Sequence, residues 1–187
     1  MKLVQRHTGF WLTLGWLLLL VSCATPVDVG EQNFRLLAPS SIKQSVTVLL
    51  KIETNQAGLK HHWEAVLNID ATHIDLVILS TLGRRLATLG FDGQKLTVKH
   101  SSSIEISLKK LLGQLQMIYW PLVTLNTDKK NQSWYFKQQN QMRYVYYQQQ
   151  LVAEIQRRQM SLWSGDFDYT SRISDYRLTI RSSQLDQ

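Results

Sequence analysis

The carboxylates and histidines are the first residues to test for chemistry, because an acid–base pair or a metal-binding cluster would indicate an enzyme. Asp166 and Asp168 would lie on one face of a strand and could act as acid and base. They flank Phe167 near a turn, however, where exposed carboxylates are far commoner. His61 and His62 would point to opposite faces of a strand and could not share a metal. No Gly-x-Ser-x-Gly, Walker-type or dinucleotide motif occurs, so we predict no catalytic residue, no metal and no enzyme activity.

The only cysteine, Cys23, follows a segment with the layout of an export signal. Lys2 and Arg6 precede an apolar run at 10–21, which is typical of a secretory signal peptide. The run is shorter than the roughly 20 residues of a membrane-spanning helix. We therefore predict a signal peptide at 1–22. The position of Cys23 directly after this segment indicates that the cysteine belongs to the signal, and the alternative is an ordinary cleaved signal beside a stray cysteine. A single cysteine also excludes an intramolecular disulfide and a cysteine-based zinc cluster.

The residues around the cysteine, Leu20-Val21-Ser22-Cys23, resemble the bacterial lipobox. The resemblance implies that Cys23 carries a diacylglyceryl thioether and an amide-linked acyl chain, which leaves no thiol nucleophile and requires no other cofactor. Each buried methylene contributes about 0.8 kcal/mol, so several acyl chains anchor a protein almost permanently. Ala24 is not the aspartate that retains lipoproteins at the inner membrane of enteric bacteria. By that analogy the protein lies on the periplasmic face of the outer membrane of a Gram-negative bacterium.

The charge and composition describe a compact, mildly basic domain. The chain has 187 residues and a formal net charge of +7, and it is 44% hydrophobic and only 19% charged. This composition excludes a disordered tail or a coiled coil. Basic doublets occur along the whole chain and do not form one patch with interleaved aromatic residues, so we predict no nucleic-acid partner. The doublets begin at Arg84, Lys109, Lys129 and Arg157.

Alternating apolar residues predict antiparallel strands on both sides of one helix. Before the helix, the period of two starts at Val46, Trp63 and Ile74, and the residues at 85–91 and 95–99 flank an Asp92-Gly93 turn. After it, we predict strands at 134–136, 142–147, 151–156, 162–169 and 176–180.

The helix is indicated by a change to three- and four-residue spacing between Leu108 and Leu122, with Gln114 and Gln116 on the polar side. Ser102 and Glu105 could form a capping box, and Pro121 would stop or kink the helix.

A flat sheet of nine or ten strands could not be covered by one helix, whereas a twisted sheet curls. We therefore predict a mainly β fold, in which a curled antiparallel sheet forms a half-open barrel and the helix is a lid over an apolar concave face. The domain boundaries follow from the same pattern. Residues 1–22 are the signal, 23–39 the lipidated N-terminus and tether, and 40–187 one lipid-binding domain.

This order of signal, lipobox, hairpins, one helix and returning strands resembles the LolA/LolB superfamily of lipoprotein carriers and receptors. The segment from Asp75 to Gly83, DLVILSTLG, is similar to the strand and Leu-Gly loop of LolB, although Thr81 stands where that family usually has proline. The end of the helix, QMIYWP at 116–121, looks more like the small outer-membrane lipoproteins encoded beside aryl-polyene biosynthesis clusters.

The resemblance implies binding and not catalysis. Leu82 occupies the place of the exposed leucine that LolB presents to the membrane, and Arg84 and Arg85 would then meet anionic headgroups. Acyl chains or a lipidated cargo would enter the concave face, and the expected partners are outer-membrane lipid and a periplasmic carrier protein. The predicted apolar cavity is lined by Trp63, Leu67, Leu76, Phe91, Leu115, Ile118 and Trp120.

Two functions remain open at this point. The first is a module that transfers lipoproteins, or glycolipid or aryl-polyene lipids, to the outer membrane. The second is an anchored structural or scaffold lipoprotein, whose barrel is filled and whose outer surface binds a partner protein. The alternative interpretation of each predicted cavity residue is that it simply fills an ordinary hydrophobic core.

Overall fold

The structure, a computed structural model, describes residues 34–101 and 107–185. The predicted signal peptide, the lipid site at Cys23 and the proposed capping pair Ser102 and Glu105 lie outside the described residues.

The described chain forms ten strands, two α-helices and two short 3-10 helices, Pro39–Ser41 and Lys129–Asn131. The α-helices are α1 (Leu108–Tyr119) and α2 (Leu122–Thr127), which are separated by Pro121 as predicted. The strands are β1 (Val46–Gln56), β2 (Leu59–Ile69), β3 (Ile74–Leu79), β4 (Arg85–Phe91), β5 (Leu96–Ser101), β6 (Trp134–Gln139), β7 (Met142–Tyr147), β8 (Gln150–Gln159), β9 (Gly165–Ser171) and β10 (Tyr176–Leu185).

All ten strands belong to one antiparallel sheet in the order β5-β4-β3-β2-β1-β10-β9-β8-β7-β6. The chain builds one five-stranded half outward from β1, crosses with α1, and builds the second half back to β10. Pairing of β10 with β1, from Thr47–Leu185 to Gln56–Tyr176, joins the halves. The sheet is curled and unclosed, so the predicted mainly β class and half-open form are confirmed.

One face of this sheet is buried with a period of two, as the apolar alternation predicted. In β1 the buried side chains are Val46, Val48, Leu50 and Ile52, together with Thr54. Apolar side chains that share one face of a strand are removed from water together, which stabilises the strand in that register. The strand predicted at 162–169 begins later, at Gly165, because residues 160–164 form a loop closed by the Met160 amide donating to the Ser164 carbonyl at 2.9 Å.

Helix α1 lies against the buried face and is covered on its other side by residues 34–42, here named the covering segment. The side chains of Phe34, Leu37 and Ile42 are buried in the same core as α1. The sequence assigned residues 23–39 to the lipidated N-terminus and tether, whereas Phe34 and Leu37 within that range pack in the core.

Among the described residues, no helix has the length and hydrophobicity needed to cross a bilayer.

Candidate functional site

The seven residues predicted to line an apolar cavity all lie in one buried core. They come from β2, β3, β4, α1 and the residue directly after α1, and neighbouring strands place Leu67 beside Leu76 and Leu76 beside Leu89. Trp63 and Phe91 are the most exposed of the seven, at 7% and 5%. The structure therefore brings the predicted residues together, but packs them against each other and against α1.

Helix α1 is buried on every side from Leu111 to Tyr119, which differs from the amphipathic lid that the sequence predicted. Its glutamines, assigned to the polar side, are interior and hydrogen-bonded. The Gln116 amide donates to the Leu37 carbonyl at 2.9 Å and accepts from the Leu37 amide at 2.8 Å. The Tyr176 hydroxyl donates to Gln114 Oε1 at 3.1 Å. These bonds satisfy polar groups that would otherwise be costly to bury.

The covering segment is fastened over α1 at further points. The Trp120 indole donates to Ser41 Oγ at 2.7 Å, and the Arg35 amide donates to Asn131 Oδ1 at 2.9 Å. Gly113 is close to the Phe34 ring, since a Cβ at residue 113 would lie 3.4 Å from Phe34 Cδ1. A few hydrogen bonds and apolar contacts thus hold α1 and the covering segment, together named the cover, over the concave face.

Two arginines lie inside the β6–β10 half of the sheet. Arg143 on β7 is only 2% exposed, and its Nη1 donates to the carbonyls of Met117, Ile118 and Trp120 at the end of α1. The last carbonyls of a helix have no partner within the helix and carry partial negative charge, so a guanidinium group there is favourable. Arg157 on β8 is 6% exposed, and its Nη1 donates to Gln138 Oε1 at 2.9 Å.

Burial shapes the electrostatics of this interior. Loss of water lowers the pKa of the Arg143 guanidinium, and the neighbouring Arg157 charge lowers it further. Burial likewise lowers the pKa of Arg157. Burial also raises the pKa of the Tyr119 phenol, against smaller opposing effects of Ser182 and Arg157. Burial thus works against the charged form of each of these three side chains.

The loop with Leu82 lies at one end of the sheet, together with three other turns. This end, named the Leu82 end, comprises the turns at 56–59, 80–84, 148–149 and 172–175, as the antiparallel register requires. Leu82 is 94% exposed. Its loop is closed by the Ser80 amide donating to the Arg84 carbonyl and the Gly83 amide donating to the Ser80 carbonyl, both at 2.8 Å. The φ of +76° at Gly83 suits glycine at this tight turn.

Two further aliphatic side chains project from the Leu82 end, and the sequence did not single them out. Leu59 at the β1–β2 turn is 65% exposed, and Ile173 at the β9–β10 turn is 37% exposed. The exposed side chains of Arg84 and Arg85 stand next to Leu82. Phe34, the first described residue, packs against Trp134 toward this same end, with ring centroids 5.6 Å apart.

Asp166, Asp168 and His62 lie on the outer face, and each is near a side chain that can carry the opposite charge. His61 lies on the other face of β2, with the parity of the buried Trp63. Asp168 accepts from Arg158 at 2.6 Å, whereas Asp166 lies 3.9 Å from Arg181. His62 lies 3.7 Å from Glu53, and the His61 ring stacks on Trp63 at 5.5 Å. Among the described residues, no three His, Cys, Asp or Glu side chains are grouped to hold a metal ion.

The buried arginines and glutamines are the interior residues that sequence reasoning missed. A signal was present, because Arg143 and Arg157 keep the parity of the buried Val145 and Ile155 on their strands. Two surface pockets open on the outer side of the sheet. One of about 730 Å³ is lined by Tyr135, Tyr146 and neighbouring polar residues, and one of about 250 Å³ includes Lys51, Glu53 and His62.

The sequence can also be compared with known proteins. The model of the family described as "Protein of unknown function (DUF3261)" matches residues 44–184. The chain belongs to the DUF3261 family. The match spans nearly the whole sheet and both α-helices, so the DUF3261 region includes the concave face, α1 and both buried arginines.

Other comparisons of this DUF3261 chain are weaker. No curated protein matches it significantly. Among solved structures, it is similar to the crystal structure of the LolA superfamily protein NE2245 from Nitrosomonas europaea. The TM-score is 0.38 and the identity 9%, over 82% of this chain and 95% of that chain.

Proposed function

We propose that the protein is an outer-membrane lipoprotein that binds acyl chains or a lipidated cargo on its concave face and acts in lipid transfer. The cargo would be a lipoprotein, or a glycolipid or aryl-polyene lipid, delivered to the outer membrane. The observation that carries the proposal is the cover of the concave face. Within the described residues, a broad apolar surface is buried against one 12-residue helix and the covering segment, and not against a second sheet.

Binding in this proposal requires the cover to move, because the interior of the described domain is packed. An acyl chain that replaces apolar side chains of α1 regains the burial they lose, at roughly 25 cal/mol per Å². The additional cost comes from the polar bonds of Gln116 and Trp120 to the covering segment. The net contribution of one intramolecular hydrogen bond to stability is about 1 kcal/mol. The free energy gained by burying a long acyl chain can therefore exceed the cost of breaking these few bonds. The function is therefore binding, and no enzyme activity is proposed.

Contact with the bilayer is assigned to the Leu82 end. The exposed Leu82 would enter the acyl region, while Arg84 and Arg85 would contribute about 1 kcal/mol each at an anionic surface. A tether from a lipidated Cys23 would reach the domain at Phe34, toward the same end. One orientation of the domain thus brings both the lipid anchor and the Leu82 loop to the membrane. The proposed partners are outer-membrane lipid and a periplasmic carrier protein that delivers the cargo.

A second candidate is the anchored structural or scaffold lipoprotein that binds a partner protein. The observation that favours it is the packed interior together with outward-facing pockets, the larger of about 730 Å³. A filled barrel has no room for a ligand unless its cover opens.

A reversible lock on the covering segment separates the two candidates. A Cβ at residue 93 would lie 3.1 Å from the Cβ of Ala38, so the two Cβ atoms would have to separate by about 0.7 Å to reach the roughly 3.8 Å of a disulfide. The chain from Ala24 lacks Cys23, so Ala38→Cys/Gly93→Cys introduces its only two cysteines. We expect fatty acid to displace a fluorescent probe saturably from the wild type and the reduced variant, but not from the oxidised variant.

Reduction of the same sample is the matched control. The reduced variant contains the same substitution of Gly93, at its φ of +93°, and therefore any backbone strain that this substitution causes. Equal binding by the oxidised and reduced forms would show that the cover need not move. No saturable displacement from the wild type would favour the scaffold function.

Membrane contact is tested separately with anionic liposomes and the chain from Ala24. Leu82→Glu and Arg84→Glu/Arg85→Glu should each lower the partition coefficient, the second by about tenfold or more. Val123→Glu is the matched control, since Val123 is 68% exposed but belongs to none of the turns of the Leu82 end. Unchanged partition of the first two variants would reject this orientation.

A further inference from the structure

Arg157 is the charged residue whose burial the fold itself explains least. It faces inward on β8, opposite Phe167 of β9, and is 6% exposed. Its chain neighbour Arg158 faces outward and pairs with Asp168. Among the described residues, no carboxylate lies within ion-pair distance of Arg157. A buried guanidinium group without an acid is uncommon, because removing a charge from water is costly.

The two buried arginines differ in how fully their donors are used. Arg143 donates to three carbonyls of the helix end and, through Nε, to Gln138 Oε1 at 3.3 Å. Arg157 shares the Gln138 oxygen, while its own Nε has no hydrogen-bond partner. Arg143 therefore has a complete structural role as a helix cap, and Arg157 does not.

A second unpartnered donor lies in the same region. The indole N–H of Trp163, a residue that is 1% exposed, has no hydrogen-bond partner. The ring of Tyr119 stacks on Trp163 at 5.2 Å and meets Phe167 edge-on at 5.0 Å. Phe167 is the residue directly opposite Arg157, so both donors belong to residues next to this aromatic group. The hydroxyl of Tyr119 also has no hydrogen-bond partner, and it can donate as well as accept. Arg157 Nε and the indole N–H can only donate, and the guanidinium group carries positive charge, so the ligand that complements this group of donors is an anionic oxygen group.

We propose that Arg157 and Trp163 bind the anionic head of an acyl ligand, a carboxylate or a phosphate, when its chain lies on the concave face. This inference rests on the proposed lipid binding and adds to it a ligand class and an orientation. The head is placed beside the end of α1, near Tyr119, and the chain extends over the apolar rows of the sheet. An uncharged ester could accept a hydrogen bond from these donors but would leave the charge of Arg157 uncompensated.

The test compares ligands that differ only in their head, using the chain from Ala24, which retains every described residue of the domain. Palmitate, methyl palmitate and palmitoyl lysophosphatidic acid compete with the uncharged probe N-phenylnaphthylamine, and inorganic phosphate is a fourth arm. We expect the wild type to prefer one or both anionic lipids over the ester by about tenfold or more, as for other charge-assisted hydrogen bonds. Which anionic lipid is preferred distinguishes a carboxylate from a phosphate.

The variants separate recognition from folding. Arg157→Met should lose the preference for the anionic lipids while its affinity for methyl palmitate stays the same. Its Tm should equal or exceed that of the wild type, because an apolar side chain often replaces a poorly paired buried charge without loss. Arg157→Lys keeps the charge and should retain part of the preference. The outward-facing Arg158→Gln is the matched control and should retain all of it.

Each other outcome contradicts the inference in a recognisable way. Equal binding of palmitate and its ester by the wild type, or a preference that survives Arg157→Met, would overturn the head-group site and leave lipid binding intact. Inorganic phosphate that binds as tightly as the anionic lipids, and depends on Arg157, would show a free-anion site and overturn the acyl ligand. A wild type that binds none of the lipids would remove the proposed function and this site with it.

Discussion

Strands β1–β5 and strands β6–β10 each form a five-stranded antiparallel meander, and the two meanders meet where β1 pairs with β10. Their inner faces differ in chemistry. The first presents mostly aliphatic side chains, such as Leu50, Leu67 and Leu76. The second presents aromatic rings together with Arg143 and Arg157.

This difference assigns separate roles to the two halves of one sheet. Aliphatic rows make contacts that are numerous and non-directional, so they can accept either the side chains of α1 or another apolar chain. Guanidinium groups and ring edges act in fixed directions, so they hold one helix in one position. The β6–β10 half therefore fixes α1, and in the proposed lipid binding the β1–β5 half would supply the surface on which a ligand replaces it.

The largest effect on stability is expected from Arg143→Ala, because this substitution removes the guanidinium group with which the β6–β10 half caps α1. Three helix carbonyls would lose their buried donor, and each unsatisfied group costs about 1–3 kcal/mol. We expect the free energy of unfolding to fall by about 3–5 kcal/mol in urea titrations, as when one partner of a buried charged contact is removed. The control Arg158→Ala breaks only an exposed pair and should cost less than about 1 kcal/mol. A similar small loss for both would mean that Arg143 does not fix the helix.

A smaller effect is expected from alkaline pH at Tyr119, on the side of α1 that faces the β6–β10 half. Its raised pKa means that the folded state favours the neutral phenol. Stability from this group is fully present below the unfolded pKa of about 10 and is lost above it, by about 1.4 kcal/mol per pH unit. The Tm measured by thermal unfolding should thus fall more steeply between pH 9 and 12 for the wild type than for Tyr119→Phe. Parallel profiles would show that the phenol is solvated.

The fold was largely predictable because a half-buried sheet leaves a period of two in its sequence. The alternation from Val46 to Ile52 predicted β1, and the change of spacing at Leu108 predicted α1 at the correct place. The covering segment was not predictable in this way. A segment outside strands and α-helices has no long period of its own, and the burial of this one depends on contacts with Gln116 and Trp120, which are far away in sequence.

The candidate site was predictable only in its apolar part. Leu67, Leu76 and the others followed from hydrophobicity, since apolar residues at inward positions are buried whatever they touch. Arginine and glutamine normally indicate surface, and here tertiary contacts reverse that preference. Arg143 is buried because the end of α1 offers carbonyls, and those carbonyls come from a part of the chain that no local pattern connects with β7.

The smallest effect is expected from Leu76→Met in the aliphatic half, where only volume and apolarity should count. Leu76 is fully buried between Leu67 and Leu89, and methionine has nearly the same volume with a more flexible stem. Such swaps cost less than about 1.5 kcal/mol, and fatty-acid displacement should be unchanged, because a surface without directional contacts can repack around either side chain. Leu76→Asn, which is also similar in size but polar, should abolish displacement and destabilise the domain. If Leu76→Met were as damaging as Arg143→Ala, the two halves would be equally specific and neither would be free to exchange α1 for a ligand.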